Sequence, residues 1–414
     1  DIDASRLTGD GAVLSGGDLA IKLVDDYDHY GELAANGKLS LITAGTVNNH
    51  AEISAGLALD LVAAKINNDA TGVLQAPMLS LTATADHALI NRGLIDGQDV
   101  LLTSYTIKNL GTGRIFGDQV ALDASIITNE AEAGTSPVIA ARQRLDIAAD
   151  QITNRDGALL FSDGDLALGR TLDEDRHATG MASLVTNSGA TIEASGNIDL
   201  AARTAINSNA GLTTRTETGP ATTIVEASGS GSDKRYSLDS AEVQLYTDES
   251  LHLHTPEGNY EQWVLYRYQR TVTETVTDTS APAQIIAGRD LHYRGDELSN
   301  DKSRIIAAGD IRIDAGIVNN IDATGTLTIV DKGIAGSYWR HYRKGRDNTG
   351  YQPDGFDYIC GTYDVPLLTL VPEQSGVHPP HQRPGRQLRP QRVRREGRDR
   401  HDAGHQQQVF HVHH

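Results

Sequence analysis

The sequence holds a single cysteine, Cys360, in 414 residues, so no internal disulfide can staple it. Secreted chains commonly use such staples. Export as an unfolded thread through a narrow pore is one physical reason to go without, because a cross-link formed beforehand would block the passage. A cytosolic chain is cysteine-poor as well, so the count alone does not choose. Aromatic residues are also scarce, with 14 Tyr, four Phe and two Trp, which suits a narrow core that excludes bulky rings. No apolar stretch approaches the ~18 residues that would read as a membrane-spanning helix. No basic start with an apolar run behind it is visible, so no signal peptide is read. The chain starts at Asp1 and is read as a piece of a larger product that has lost its N-terminus, a processed mature protein being the milder alternative. Basic residues are outnumbered, 36 Lys and Arg against 55 Asp and Glu, for a net charge of -19. Eight of the Arg lie in residues 373–414 with only four acids, so the remaining body is more acidic still. An acidic body argues against nucleic acid or an anionic membrane as a partner.

What is plentiful is glycine, 41 residues, and a repeat. Gly37 to Asn68, GKLSLITAGTVNNHAEISAGLALDLVAAKINN, is one unit copied twice with a period of 19 residues, counted from Asn48 to Asn67. A Gly opens a short alternating run (Leu39, Leu41; then Leu57, Leu59, Leu61), and a β-branched residue with paired Asn closes it. Alternation of period two, broken by Gly or Asn every few residues, is a strand-and-turn pattern. A repeat of about 20 residues with three short strands is one rung of a solenoid, which buries its inward side chains only by stacking.

Taken in order, residues 1–211 are read as rungs of a parallel β-helix. Gly-led or Pro-led runs recur as GGDLAIKL, GKLSL, GLALDL, PMLSL, GQDVLL, GDQVAL, GDLAL and GNIDL. Asn recurs at Asn48, Asn67, Asn91, Asn109, Asn129, Asn154, Asn187 and Asn207, and again at Asn319. Each is either a turn former or a member of an amide ladder along the stack. A polar insert, residues 170–180, is expected as a surface loop. Residues 212–283 break the rhythm. Tyr260, Trp263, Tyr266 and Tyr268 lie in a strictly alternating run that, together with Glu242–His254, is expected as an extruded hairpin or small sheet. Residues 284–330 resume the rungs, with IDATGTLTIV (321–330) as the last. Residues 331–372 are a mixed loop and strand region. Residues 373–414, rich in Arg, His, Gln and Pro, are expected to be disordered. Their bias is what out-of-frame translation of a GC-rich gene produces, so a frameshift is the expectation and a genuine basic tail the alternative.

No residue pattern supports catalysis, a metal site or a cofactor. Asp18, Asp118, Asp165 and Asp310 sit at the turn position after Gly, far apart in rung order, whereas glycoside hydrolysis needs two carboxylates about 5–10 Å apart. His252 and His254 share a strand face without a third ligand in view. Asp25, Asp26 and Asp28 read as a solvated loop, and Cys360 as packed. Tyr260, Trp263, Tyr266 and Tyr268 are candidates for contact with a partner, since exposed aromatic residues anchor interfaces; covering the hairpin's own seat is the equal alternative.

The repeats GGDLAIKL, GKLSLITAGTVNNHAEISAG and SRIIAAGDIRIDAGIVNN resemble the haemagglutinin repeats of bacterial filamentous haemagglutinins and of contact-dependent growth-inhibition effectors. The resemblance covers roughly residues 10–365. It implies a right-handed parallel β-helix exported by an outer-membrane two-partner-secretion transporter of a Gram-negative bacterium. It implies a secreted or cell-surface location and a role in adhesion, or in presenting a C-terminal toxin to neighbouring cells. The receptor, protein or glycan, is left open, and a monomeric rod is expected. Two other readings stand beside it: a β-helix carbohydrate-active enzyme, and a non-functional gene fragment. The family's N-terminal secretion domain and toxin domain have no counterpart in these residues.

Overall fold

The computed structural model describes residues 1–84, 88–246, 251–343, 346–367 and 408–409, and every regular element among them is a β-strand. Most of the expected tail, 373–414, therefore lies outside the described residues. The chain forms two compact units, Asp1–Leu212 with Ser280–Asp322, and Thr213–Thr279 with Ala323–Leu368.

The first unit is a β-solenoid of parallel strands. One rung consists of Glu32–Ala35, Lys38–Thr43 and Thr46–Asn49. The next, Glu52–Ala55, Ala58–Ala63 and Lys65–Asn68, pairs with it residue for residue. Alternation sends every second side chain inward, so like meets like. Leu39, Leu59 and Leu79 are parallel partners in one column, exposed by 0%, 1% and 2%. Leu41, Leu61, Leu81 and Leu102 form another, and Val47, Ile66, Leu89, Ile107 and Ile127 a third. Burying each such side chain stabilises by about 1.5–3 kcal/mol, but only if a neighbouring rung supplies the lid. Leu57 is the exception to its run. It sits at the corner between two strands, where alternation lapses, and is 63% exposed.

Stacking continues directly across the interruption in the chain. The strand Ile198–Ser208 pairs in parallel with Leu291–Arg294 and Glu297–Asp301. The rung made of Arg304–Ala307, Ile311–Asp314 and Ile317–Ile321 follows. Residues 321–330 do not make a further rung. Thr324–Arg343 instead pairs antiparallel with Trp263–Thr279. Period-two alternation serves both kinds of pairing equally, which is why the pattern pointed the wrong way.

The insert 170–180 is not an open loop but a short hairpin, Thr171–Leu172 against Ala178–Thr179. It is held to earlier rungs: Arg176 Nη1 donates to Asp99 Oδ1 at 2.7 Å, and the Ala178 amide to Asp146 Oδ1 at 2.8 Å.

The second unit is antiparallel. Its large sheet runs Tyr236–Ser237, Thr222–Gly229, Trp263–Thr279, Thr324–Arg343, Arg346–Pro366, with Thr213–Thr218 also on Trp263–Thr279. Residues 331–372, expected as mixed, thus supply most of a long two-stranded ribbon through Pro366. Among the described residues, the stretch 242–254 does not pair with the Trp263 strand. It contributes to a separate three-stranded sheet, Gln244–Tyr246, His252–Thr255 and Gly258–Tyr260.

Candidate functional site

The most regular polar feature is a column of ten asparagines inside the first unit. Nδ2 of each donates to Oδ1 of the next, along Asn49, Asn68, Asn91, Asn109, Asn129, Asn154, Asn187, Asn207, Asn300 and Asn320, at 2.7–2.9 Å. The second N–H of each amide from Asn49 to Asn300 goes to a backbone carbonyl, as from Asn68 to Leu94 and from Asn129 to Leu159, both at 3.1 Å. From Asn49 to Asn207 the side chains are at most 1% exposed. A buried amide is tolerable only when its donors are used, and here stacking uses them.

Six of the expected positions, Asn91, Asn109, Asn129, Asn154, Asn187 and Asn207, lie in this column. Asn48, Asn67 and Asn319 do not. Val47 and Ile66 occupy the inward aliphatic column and Val318 pairs with Leu298 of that column, so the second Asn of each pair is the one on the column's side, and the first lies on the other. Asn48 and Asn67 instead make an outer pair, Asn67 Nδ2 to Asn48 Oδ1 at 2.6 Å, with Asn48 donating to Asp28 at 2.8 Å. The period-two rule applied from Val47 would have selected Asn49, and from Leu298 would have found Asn300.

His29 heads the column, as the parallel partner of Asn49. Its Nδ1 meets the Tyr27 hydroxyl and its Nε2 the Glu52 carbonyl, both at 2.9 Å. Neither nitrogen serves Asn49, whose Oδ1 is buried without a hydrogen-bond partner. Burial pushes the Tyr27 hydroxyl up to about 12 and lowers the His29 imidazole from its usual value.

Two of the turn aspartates bind backbone with their carboxylates. Asp18 accepts the Lys38 amide and Asp165 the Asn197 amide, each at 2.8 Å, while the Asp310 amide is itself held by Asp290. A Cβ at position 37 would collide with the Asp18 carboxylate, so the corner needs Gly37. Asp118 pairs with Arg142 at 2.6 Å. Of the loop acids, Asp26 accepts the Thr46 amide at 2.6 Å. Near the 170–180 hairpin, Thr103, Ser104, Asp123, Ser125, Asp150 and Arg170 line a shallow depression of 290 Å³. Burial raises the Asp123 carboxyl, but Asp150 is engaged by Arg170 and by the Ser183 hydroxyl. Glycoside hydrolysis needs two carboxylates in complementary roles, and this depression presents one that is not already bound.

The second unit gathers the rings. Trp263 is buried, 2% exposed, and stacks on Tyr338 with centroids 4.2 Å apart. Tyr268 is equally buried, and its hydroxyl donates to Glu226 at 2.8 Å. These two expected contact residues are core. A ring already desolvated in the free protein has no surface to give an interface. Tyr260 packs on the same cluster, and Tyr266 lies under the Arg235 guanidinium at 3.9 Å. Beside them Arg270 grips the buried Asp331 with two bonds of 2.8 and 2.9 Å. That hydrogen bonding holds the Asp331 carboxyl below its usual range. The Cys360 thiol donates to Asp331 at 2.8 Å and is raised by burial and by that carboxylate. His252 and His254 flank the buried Leu253; His252 stacks on Tyr246 and His254 bonds Asn259. Among the described residues no three His, Cys, Asp or Glu side chains converge as a metal site.

The haemagglutinin repeat family matches residues 1–33, 24–93, 80–109 and 249–329. No curated protein and no solved structure matches. The stacked rungs between Arg114 and Ser208 thus continue the repeat architecture where the family pattern itself is not matched.

Proposed function

We propose, from the match of the haemagglutinin repeat family to four stretches of the chain, that it is a structural and adhesive rod segment of a large secreted bacterial exoprotein. One observation carries the reading. The polar residues that recur from rung to rung are spent within the stack, the column asparagines on one another, Asp18 and Asp165 on backbone amides and Asp118 on Arg142. Such a molecule is suited to extend and display.

The finer reading is that the intact protein leaves a Gram-negative cell through an outer-membrane two-partner-secretion transporter. There it contacts a protein or glycan on a host or neighbouring cell, or carries a C-terminal toxin to it. The near absence of cysteine supports a threaded route. Fluorescently labelled chain added to bacterial and epithelial cells tests the adhesive role. Saturable binding, competed by unlabelled chain, is expected. No saturable binding to any surface, or product release from a polysaccharide by the same preparation, would overturn it.

A further inference from the structure

The strand Arg346–Pro366 is the outer member of the second unit's large sheet. Thr324–Arg343 lies on one side, and among the described residues no strand lies on the other. At 21 residues it is long for an unpaired edge. Such edges present free backbone donors and acceptors, and proteins usually blunt them. Here Pro353 and a register irregularity near Cys360 interrupt the edge, but Asp354 to Val365 holds no proline.

The side chains on this edge have a consistent character. From Asn348 to Pro366 there are three aspartates and no basic residue. Asp354 and Asp364 are exposed. Phe356, Tyr358 and Tyr363 sit opposite Gly333, Asp331 and Leu327, positions of one parity, and so share a face. Phe356 is edge-on to Tyr266 and Tyr268, whereas Tyr358 and Tyr363 are 58% and 49% exposed. A second copy of the same strand paired in parallel register would set aspartate against aspartate, which is unfavourable across a strand pair.

We propose that this edge takes an extended, cationic segment of a partner polypeptide as an added β-strand. Backbone hydrogen bonds provide the attachment. Lys or Arg at alternate positions meets Asp354, which sits opposite Ala335 and so shares the face of Tyr358 and Tyr363, and lies over the exposed faces of those two rings; Asp364, opposite Thr326, adds negative potential from the other face. The inference does not rest on the adhesive reading, since it concerns a sheet edge of the second unit alone.

The test uses the full chain and three labelled decapeptides: alternating Lys-Val, alternating Glu-Val, and Lys-Val with every backbone amide N-methylated. The methylated peptide keeps the charge but cannot pair with an edge. Fluorescence anisotropy should show the first binding at least about tenfold tighter than either control. Hydrogen exchange should slow within Asp354–Val365. The D354K/D364K variant should lose about tenfold in affinity, and D354E/D364E should keep it. Methylated peptide binding within about twofold of the parent would mean charge attraction alone and would overturn the proposal. So would protection that falls elsewhere on this acidic chain.

Discussion

The two units build sheets from opposite material. In the first, a strand's partner is one rung away and carries the same kind of side chain; Asn91 reaches Asn109 across 18 residues of sequence. In the second, the partner is unrelated and distant, as Arg270 is from Asp331, 61 residues on. Repetition lets small aliphatics and a neutral amide make a dry interior, because each residue meets a copy of itself. Without repetition, complementarity must come from unlike residues. The second unit accordingly relies on stacked rings and one buried ion pair. The contrast teaches that a polar core residue is cheap in a solenoid if it can hydrogen-bond to its own image, and costly anywhere the register is not repeated.

The sharpest way to break the comparison is to spoil one image. Asn129→Asp keeps shape and still accepts from Asn109. It loses the donors to Asn154 and Leu159 and sets a carboxylate against two acceptors. The first unit should lose about 4 kcal/mol or more at neutral pH, read from urea unfolding by far-ultraviolet circular dichroism. Burial raises the pKa of the new carboxyl, so the loss should shrink as pH falls and the group regains a proton to donate. A variant within about 1 kcal/mol of the parent would show that the column is ornament.

The corresponding lesion in the second unit is Asp331→Asn. It leaves the Arg270 charge half-buried and unmatched, at a cost of about 3 kcal/mol. Both tryptophans, Trp263 and Trp339, belong to this unit, so intrinsic fluorescence follows it selectively. The folded pKa of Asp331 is depressed, chiefly by Arg270. Its stabilisation is therefore complete above the ordinary carboxylate value of about 3.9 and lost as pH falls through the lower folded value. The variant should lack that acid-dependent step; if its acid unfolding profile keeps the parent's shape, the pair is not what holds the sheet. A smaller effect is expected at a rung corner. Asp165→Ala removes the acceptor of the Asn197 amide and should cost about 1 kcal/mol in the circular-dichroism transition.

The solenoid was legible because its information is periodic. Leu39, Leu59 and Leu79 announce a column to anyone counting. The second unit was less legible for the reason that makes it different. Nothing in Thr324–Arg343 names Trp263–Thr279 as its partner, and alternation alone made 321–330 look like one more rung. Burial of Trp263 and Tyr268 was invisible for the same reason, since what covers a ring comes from elsewhere in the chain. For a partner surface, the sequence pointed to the aromatic run, of which Trp263 and Tyr268 are core, and not to the proposed edge Arg346–Pro366. An edge is defined by the partner it lacks, and only the completed sheet displays that.

The paired asparagines offer the finest test of the same contrast, because one sequence motif supplies both environments. Asn68 lies in the buried column, 1% exposed, with bonds to Asn91 and to the Leu94 carbonyl. Its neighbour Asn67 faces out and bonds Asn48 where water can take its place. Asn68→Ala should therefore cost about 2–3 kcal/mol, since it strands the Asn49 amide and opens a gap. Asn67→Ala should cost no more than about 0.5 kcal/mol. Urea midpoints for the two single variants would decide it. Equal losses would mean that Asn serves in both places only as a strand-end former, and that stacking on its own image contributes little in either.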